Sequence, residues 1–417
     1  MSEKLAEVYE QYDMEILSTK KGRGATILST TEGLRILEPF RGSMTRLEQE
    51  YVLKQLFLKE GCSNLDYLIP NKEGMLFTCD KYRQPFVLKK HFEGNECDMH
   101  NPSDIVRAIE ALAQFHIYGK KVVQDFQTAW LHSRKEKEQK RIEEIRRAIA
   151  DGEELERIAY VYEISPNALE EALQAEKVKE GDSSGDKTRI KNEKKEVQDK
   201  PFGSDQSENI GGTDMDIENV FIRHNREIKK IQRFMNKVKR KNAFENLFLQ
   251  VFSDYYQQGT ECVEMLDKIL QSGNEKTAHS IFKNHYGICH GTYNQHNVII
   301  GKEEEAIVHF ERFSKGNQLN DLYQFARKAM EKNHFDFELL EKIFQTYGQK
   351  IELSREDYQY MYILFSYPEK FWKIANSYYN TNKAFLSPKY LEKLETVILQ
   401  EKEKREMLSE YFTFHLR

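Results

Sequence analysis

The chain has 417 residues, 39% hydrophobic and 31% charged, with a formal net charge of -5, a sequence pI near 6.2 and a mean hydropathy of -0.74. That is enough chain for two or three lobes and a sizeable core, and the charge gives no global drive toward nucleic acid or acidic membranes. The five cysteines (Cys62, Cys79, Cys97, Cys262, Cys289) are scattered without metal-ligand spacing, the opening Met1-Ser2-Glu3-Lys4 has no signal-peptide apolar run, and no segment approaches the ~20 apolar residues that span a bilayer, so the expectation is a soluble protein made in a reducing cytosol.

Up to residue 88 the sequence reads mostly as strands. β-forming runs at 16–19, 24–28 and 34–37 lie between Gly and Lys turns, and two more candidates follow at 67–70 and 75–78. Between these groups Leu47, Tyr51, Leu53, Leu56 and Phe57 fall at helical spacing, which predicts one amphipathic helix over 46–59. A small sheet carrying one helix is therefore expected, in a lobe ending near residue 92. Beyond it Asn101 is a candidate N-cap and Pro102 suits the first helical position. Ile105, Ile109, Leu112, Ala113 and His116 then share one face, and the chain is mainly helical from here.

Residues 133–219 differ from both flanks. Residues 134–147 carry dense mixed charge with many i,i+4 pairs, the pattern of a solvated helix. Residues 154–173 show two short helical patterns around Ile164-Ser165-Pro166. They read as a helical hairpin, with a DNA-binding helix-turn-helix as the alternative; Glu163, where such turns usually carry Gly, and the acidic character speak against DNA. Residues 180–213 are rich in Gly, Ser, Asp and Lys and read as a disordered linker.

Apolar stripes resume with Ile228, Ile231, Phe234, Met235 and Val238, then Phe244, Leu247, Phe248, Val251, Phe252 and Tyr255. Further helices are predicted over 319–330, 337–347, 358–364, 371–379 and 390–412, and the 22 Tyr and 25 Phe read chiefly as packing residues. One polar stretch interrupts the helices. Cys289-His290-Gly291-Thr292-Tyr293-Asn294-Gln295-His296-Asn297 leads into Val298-Ile299-Ile300, and a second short strand is expected over 307–311. Such a strand–turn–strand unit is where kinase-type folds place their catalytic loop and metal ligands.

His290-Gly291 followed by Asn297 resembles the His-Gly-Asp-x-x-x-x-Asn loop of the aminoglycoside phosphotransferase and choline kinase group, a branch of the kinase-like fold. A closer resemblance is to the CotS family of spore-coat proteins. It rests on Gly94-Asn95-Glu96-Cys97-Asp98-Met99-His100-Asn101-Pro102, on Leu112-Ala113-Gln114-Phe115-His116, on Asn320-Asp321-Leu322, and on Tyr367-Pro368-Glu369-Lys370-Phe371-Trp372-Lys373-Ile374 with Tyr378-Tyr379-Asn380. The resemblance covers residues 12 to about 130 and 220 to 412. It implies an α+β, two-lobed protein-kinase-like fold: a small antiparallel sheet lobe with one helix at 1–92, a larger mainly helical lobe at 93–132 and 220–417, and a charged helical and disordered insertion at 133–219.

Against that pattern three positions have changed. The loop carboxylate that would take a proton is Thr292, which has no basicity at neutral pH. The magnesium-holding Asp of the following strand is His309, a poor ligand for a cation that prefers hard oxygen. The Lys that pairs with nucleotide phosphates at the end of the third strand is Glu38, which would repel them. With Glu38 opposite, the small-lobe helix residues Glu48 and Glu50 are expected to be solvated. His290, Asn297 and Asp321 remain as loop-supporting groups, and Asn297 and Glu311 are the metal candidates left. Lys20-Lys21-Gly22-Arg23-Gly24 is a basic Gly turn in the small lobe.

Three readings follow. The first is an inactive, kinase-like spore coat component, made in the mother-cell cytoplasm and then built into the coat, with other coat proteins as partners and no cofactor. The second is an active small-molecule phosphotransferase using ATP and magnesium, with Glu311 on a metal and His290 or His296 as base. The third makes the insertion a nucleic-acid or protein-docking module.

Overall fold

A computed structural model describes residues 5–22, 24–151, 217–272, 283–381 and 387–417. It separates into two compact units, residues 1–126 with 209–417, and residues 127–208. The expected hairpin at 154–173 and linker at 180–213 lie outside the described residues.

The first unit begins with a short helix α1 (Ala6–Tyr9) and a five-stranded antiparallel sheet. Its strands are β1 (Ile16–Lys21), β2 (Thr26–Thr30), β3 (Gly33–Pro39), β4 (Thr78–Cys79) and β5 (Pro85–Lys90), in spatial order β1-β2-β3-β5-β4. The β2–β3 turn is tight because Gly33 takes a φ of 104° and Thr30 Oγ1 donates to the Gly33 carbonyl. Helix α2 (Met44–Lys59) packs Leu53 and Phe57 inward. Two strand expectations need correction. Residues 67–70 give only a bridge between Leu68 and Lys89, and the strand near 75–78 is Thr78–Cys79 alone. The fifth strand is Pro85–Lys90, a buried apolar run that alternation does not reveal.

Strand β6 (Asn95–Glu96) leads into the 49-residue helix α3 (Pro102–Ala150). Asn101 caps it, its side chain accepting from the Ser103 N–H at 3.1 Å. Ile105, Ile109 and Leu112 enter the main core with Leu319, Leu322 and Phe325. Residues 127–151, in the second unit, continue α3 with exposed mixed charge and i,i+4 pairs such as His132–Glu136 at 3.5 Å.

Helices α4 (Ile217–Lys237) and α5 (Ala243–Ser272) follow, and then the polar unit. Strands β7 (Tyr286–Cys289), β8 (Val298–Ile300), β9 (Glu305–Ile307) and β10 (Ser314–Asn317) form two small antiparallel sheets, β7 with β10 and β8 between β6 and β9. The strand expected at 307–311 ends at Ile307 instead; the chain then leaves the sheet and His309 takes a φ of 66°. Helices α6 (Leu319–Lys332), α7 (Phe337–Gly348), α8 (Arg355–Ser366), α9 (Glu369–Asn380) and α10 (Lys389–Tyr411) complete the helical lobe. No disulfide forms among the described residues, which include all five cysteines. No described helix is long and apolar enough to cross a membrane.

The Tyr367–Trp372 segment is built into the helical lobe. Tyr367 stacks on Phe221 with ring centroids 3.6 Å apart and donates to Asn225 Oδ1 at 3.0 Å. Trp372 stacks on His224 and donates to Glu227 at 2.8 Å. Tyr367→Ala is expected to cost about 3–5 kcal/mol by denaturant unfolding, and Tyr367→Phe, which loses only the hydroxyl bond, about 1 kcal/mol.

Candidate active site

The polar loop is anchored from below by one carboxylate. Asp321, in the first turn of α6 and fully buried, accepts the backbone N–H of His290 at 2.6 Å and of Gly291 at 2.9 Å. Its Oδ2 also lies 3.4 Å from His116 Nε2, and His116 Nδ1 meets the Tyr347 hydroxyl at 2.8 Å. A helix N-terminus stabilises this negative charge, and the loop's amide donors satisfy it. Gly291 takes a φ of 78°, and a Cβ there would collide with the Arg312 carbonyl, so the turn demands glycine.

His290 is completely buried, and burial pushes its imidazole below the usual range. Its Nε2 lies 2.9 Å from the Val308 carbonyl, which can only accept, so that nitrogen carries the proton. Nδ1 is left as acceptor and receives the Thr292 N–H at 3.3 Å. Asn297 closes the loop, its Nδ2 donating to the Thr292 carbonyl at 2.9 Å. Thr292 Oγ1 stands 3.4 Å from His290 Nδ1. Tyr293 ties the loop to α3 by donating to the Ala108 carbonyl at 2.6 Å.

Across the cleft lies a buried charge cluster. Leu34, Ile36 and Glu38 alternate on one face of β3, while Arg35 and Leu37 are buried on the other. The β3–β5 register pairs Ile36 with Lys89, which puts Lys89 on the face of Glu38. Lys89 Nζ lies 3.3 Å from Glu311, 3.7 Å from Glu38, 3.7 Å from Asp66 and 3.8 Å from Glu50. Lys54 Nζ is 2.6 Å from both Glu50 and Asp66. Glu50 is therefore not solvated as expected: it is 2% exposed and paired with two lysines. Burial disfavours charge on Lys89, yet its carboxylate neighbours raise its pKa well above the ordinary value. Burial likewise opposes ionisation of Asp66, but Lys54, Lys89 and the His309 N–H hold its pKa below the usual range.

The stretch after β9 closes over this cluster. The His309 N–H donates to Asp66 Oδ2 at 3.0 Å, and His309 Nδ1 lies 3.6 Å from Glu311. Burial raises the Glu311 carboxyl, but His309 and Lys89 outweigh it and hold it well below the carboxylate range. Arg46 of α2 donates to the Glu311 carbonyl at 3.1 Å and to the Phe313 carbonyl, with its guanidinium 3.8 Å from the Phe313 ring centroid.

The geometry thus brings Glu38 and Glu311 together on Lys89 and gathers His290, Thr292 and Asn297 in the loop that Asp321 of α6 anchors. Lys54, Asp66 and Lys89 escaped the sequence reading. A lysine inside an apolar strand run, Phe86-Val87-Leu88-Lys89, and a Glu50–Lys54 spacing of four on a helix were the available signals.

A small antiparallel sheet lobe with helices α1 and α2, a large helical lobe and a His-Gly loop anchored by a helix-start Asp define a kinase-like fold. Solved structures agree. An aminoglycoside phosphotransferase from Alicyclobacillus acidocaldarius subsp. acidocaldarius DSM 446 superposes with a TM-score of 0.66 at 11% identity, covering 97% of this chain and 94% of its own. AMP-bound spectinomycin phosphotransferase APH(9)-Ia gives 0.52 at 11% identity, covering 98% of each chain. No protein-family model matches the sequence, and no curated protein does.

Two outcomes test this geometry. Asp321→Ala strands two buried N–H groups and is expected to lower unfolding stability by about 2–5 kcal/mol. The Glu311 partner raises the His309 pKa despite its burial. Stability from that contact is therefore fully present below about pH 6.5 and lost as pH rises through the higher folded value. The gap in melting temperature between the wild type and His309→Asn, which tolerates positive φ, should be largest below about pH 6.5 and close at alkaline pH. A constant gap would contradict it.

Proposed function

We propose that this chain is a catalytically silent member of the kinase-like fold that serves as a structural or protein-recruiting component of the bacterial spore coat. One observation carries the silent part: the carboxylates and lysines of the cleft bind each other. Glu38, Glu50, Asp66 and Glu311 are all within ion-pair distance of Lys89 or Lys54.

The magnesium nucleotide that the fold implies does not fit these groups. Phosphoryl transfer relies on positioned cations to neutralise phosphate charge and on carboxylates to hold magnesium. The strand position for the phosphate-binding lysine holds Glu38, and Lys89 is already enclosed by carboxylates. His309 stands where a metal-holding carboxylate would be, and one Glu311 oxygen, Oε1, faces both Lys89 and His309.

The displaced-catalyst alternative meets the same obstacle. His290 has one nitrogen on the Val308 carbonyl and the other receiving the Thr292 N–H, so neither is available as a base. His296 is half exposed; its Nδ1 is paired with Glu96 and its Nε2 faces the Gln295 side-chain amide at 3.4 Å, so both nitrogens are engaged. Thr292 has no basicity of its own.

Support for the coat role comes from the CotS-like segments. They lie at structural junctions: the α3 cap at Asn101, the loop anchor at Asp321 and the Tyr367–Trp372 packing on α4. A chain that retains these while its cleft charges pair internally is suited to holding a shape for partners.

With labelled ATP and magnesium, the intact chain should transfer no phosphate above background to aminoglycosides, choline, ethanolamine or protein, and Asn297→Ala should behave identically. Turnover that Asn297→Ala abolishes would overturn the silent reading. In sporulating cells of an endospore former, an antibody to the chain should label the developing coat; label spread evenly through the cytosol would remove the coat role.

A further inference from the structure

The members of the charge cluster are not equivalent. Lys54, Glu50 and Asp66 have side chains 0 to 4% exposed and form its inner layer. Lys89 is 4% exposed, whereas Glu311 is 54% exposed. Glu311 comes from the large lobe and stands on the solvent side of the Lys89 ammonium.

Its placement is fixed by buried neighbours. Phe310, just before it, is fully buried against Phe115 and His290, with centroids at 5.7 and 4.7 Å. Phe313, just after it, is fully buried against Phe126 and covered by Arg46. His309 and Arg46 then hold the Glu311 side chain and backbone carbonyl. A side chain clamped on both flanks behaves as part of the wall of the cleft.

Glu38, Glu50, Asp66 and Glu311 face Lys54, Lys89 and Arg46, with His309 Nδ1 against Glu311. Farther along the same face of β3, Leu34 lines an open chamber of about 830 Å³ with Ile27, Phe92 and Ile300. None of the charge cluster is among that chamber's lining residues, which include Lys20, Arg107 and Lys302.

We infer that Glu311 is a built-in anion that occupies the place in front of Lys89 which an incoming anionic chain would need, so that the cleft discriminates against polyphosphate. This rests on the reading of the cleft as silent and supplies its physical means. A phosphate brought to that place would meet a fixed carboxylate at close range, and like charges in a poorly solvated site repel strongly. Removing the Glu311 charge takes away the nearest and most exposed of the four carboxylates around Lys89, at 3.3 Å, and leaves Glu38, Asp66 and Glu50 at 3.7 to 3.8 Å.

The test is calorimetric titration of the intact chain with tripolyphosphate and, separately, with adenosine. The proteins are the wild type, Glu311→Gln, Glu311→Ala and Glu311→Gln with Lys89→Met, each first checked for a cooperative thermal transition. Both single variants should bind tripolyphosphate about tenfold or more tightly than the wild type. The double variant should return to the wild-type level, and adenosine, which carries no phosphate, should behave alike throughout. Equal tripolyphosphate affinity in wild type and single variants, a gain that survives loss of Lys89, or a matching gain for adenosine would overturn the inference. Because the assay reads binding and not transfer, it fails separately from the silent reading, which falls only if the wild type turns over ATP.

Discussion

The ammonium of Lys89, ringed by Glu38, Glu50, Asp66 and Glu311, is the interaction on which the rest of the cleft depends. Taking ions out of water costs several kcal/mol each, and only close, well-placed opposite charges offset that. Here the pairing prevails over burial: Lys89 is pushed up and Asp66 down, the reverse of what desolvation alone would give. The cluster also joins the lobes, because Glu311 and the His309 N–H come from the large lobe and every other member from the small one. Within the cluster these charges pair with one another.

Beneath the cluster the loop is held by a frame of buried hydrogen bonds. Asp321, His290, Gly291 and Asn297 satisfy buried backbone groups, so the fold itself requires them. A proton-accepting carboxylate at position 292 or a metal-holding one at 309 meets no such need. Thr292 fits the same turn, and His309 takes the left-handed conformation there while its N–H pairs with Asp66.

Much of the fold was legible in the sequence because local signals agreed with tertiary packing. The Ile228/Ile231/Met235 and Phe244/Phe248 stripes became one cluster with Phe371 and Tyr378, and Asn101-Pro102 marked the start of α3. The β5 strand was not legible, since a run buried on both faces lacks alternation. The loop frame could be placed from the resemblance that His290, Gly291, Asn297 and Asp321 carry. The charge cluster could not, because its members lie at positions 38, 50, 54, 66, 89 and 311, and only the β3–β5 register and the turn after β9 bring them together. Without Lys89 in view, Glu50 read as solvated when it is among the least exposed carboxylates of the described residues.

The most direct measurement is a crystal structure of the intact chain grown with magnesium and a non-hydrolysable ATP analogue at saturating concentration. If the cleft charges are satisfied internally, Lys89 Nζ will remain near its present 3.3 Å from Glu311, with no triphosphate or cation on either. Density showing Lys89 on the phosphates, and Glu311 swung onto a magnesium ion, would contradict the central claim.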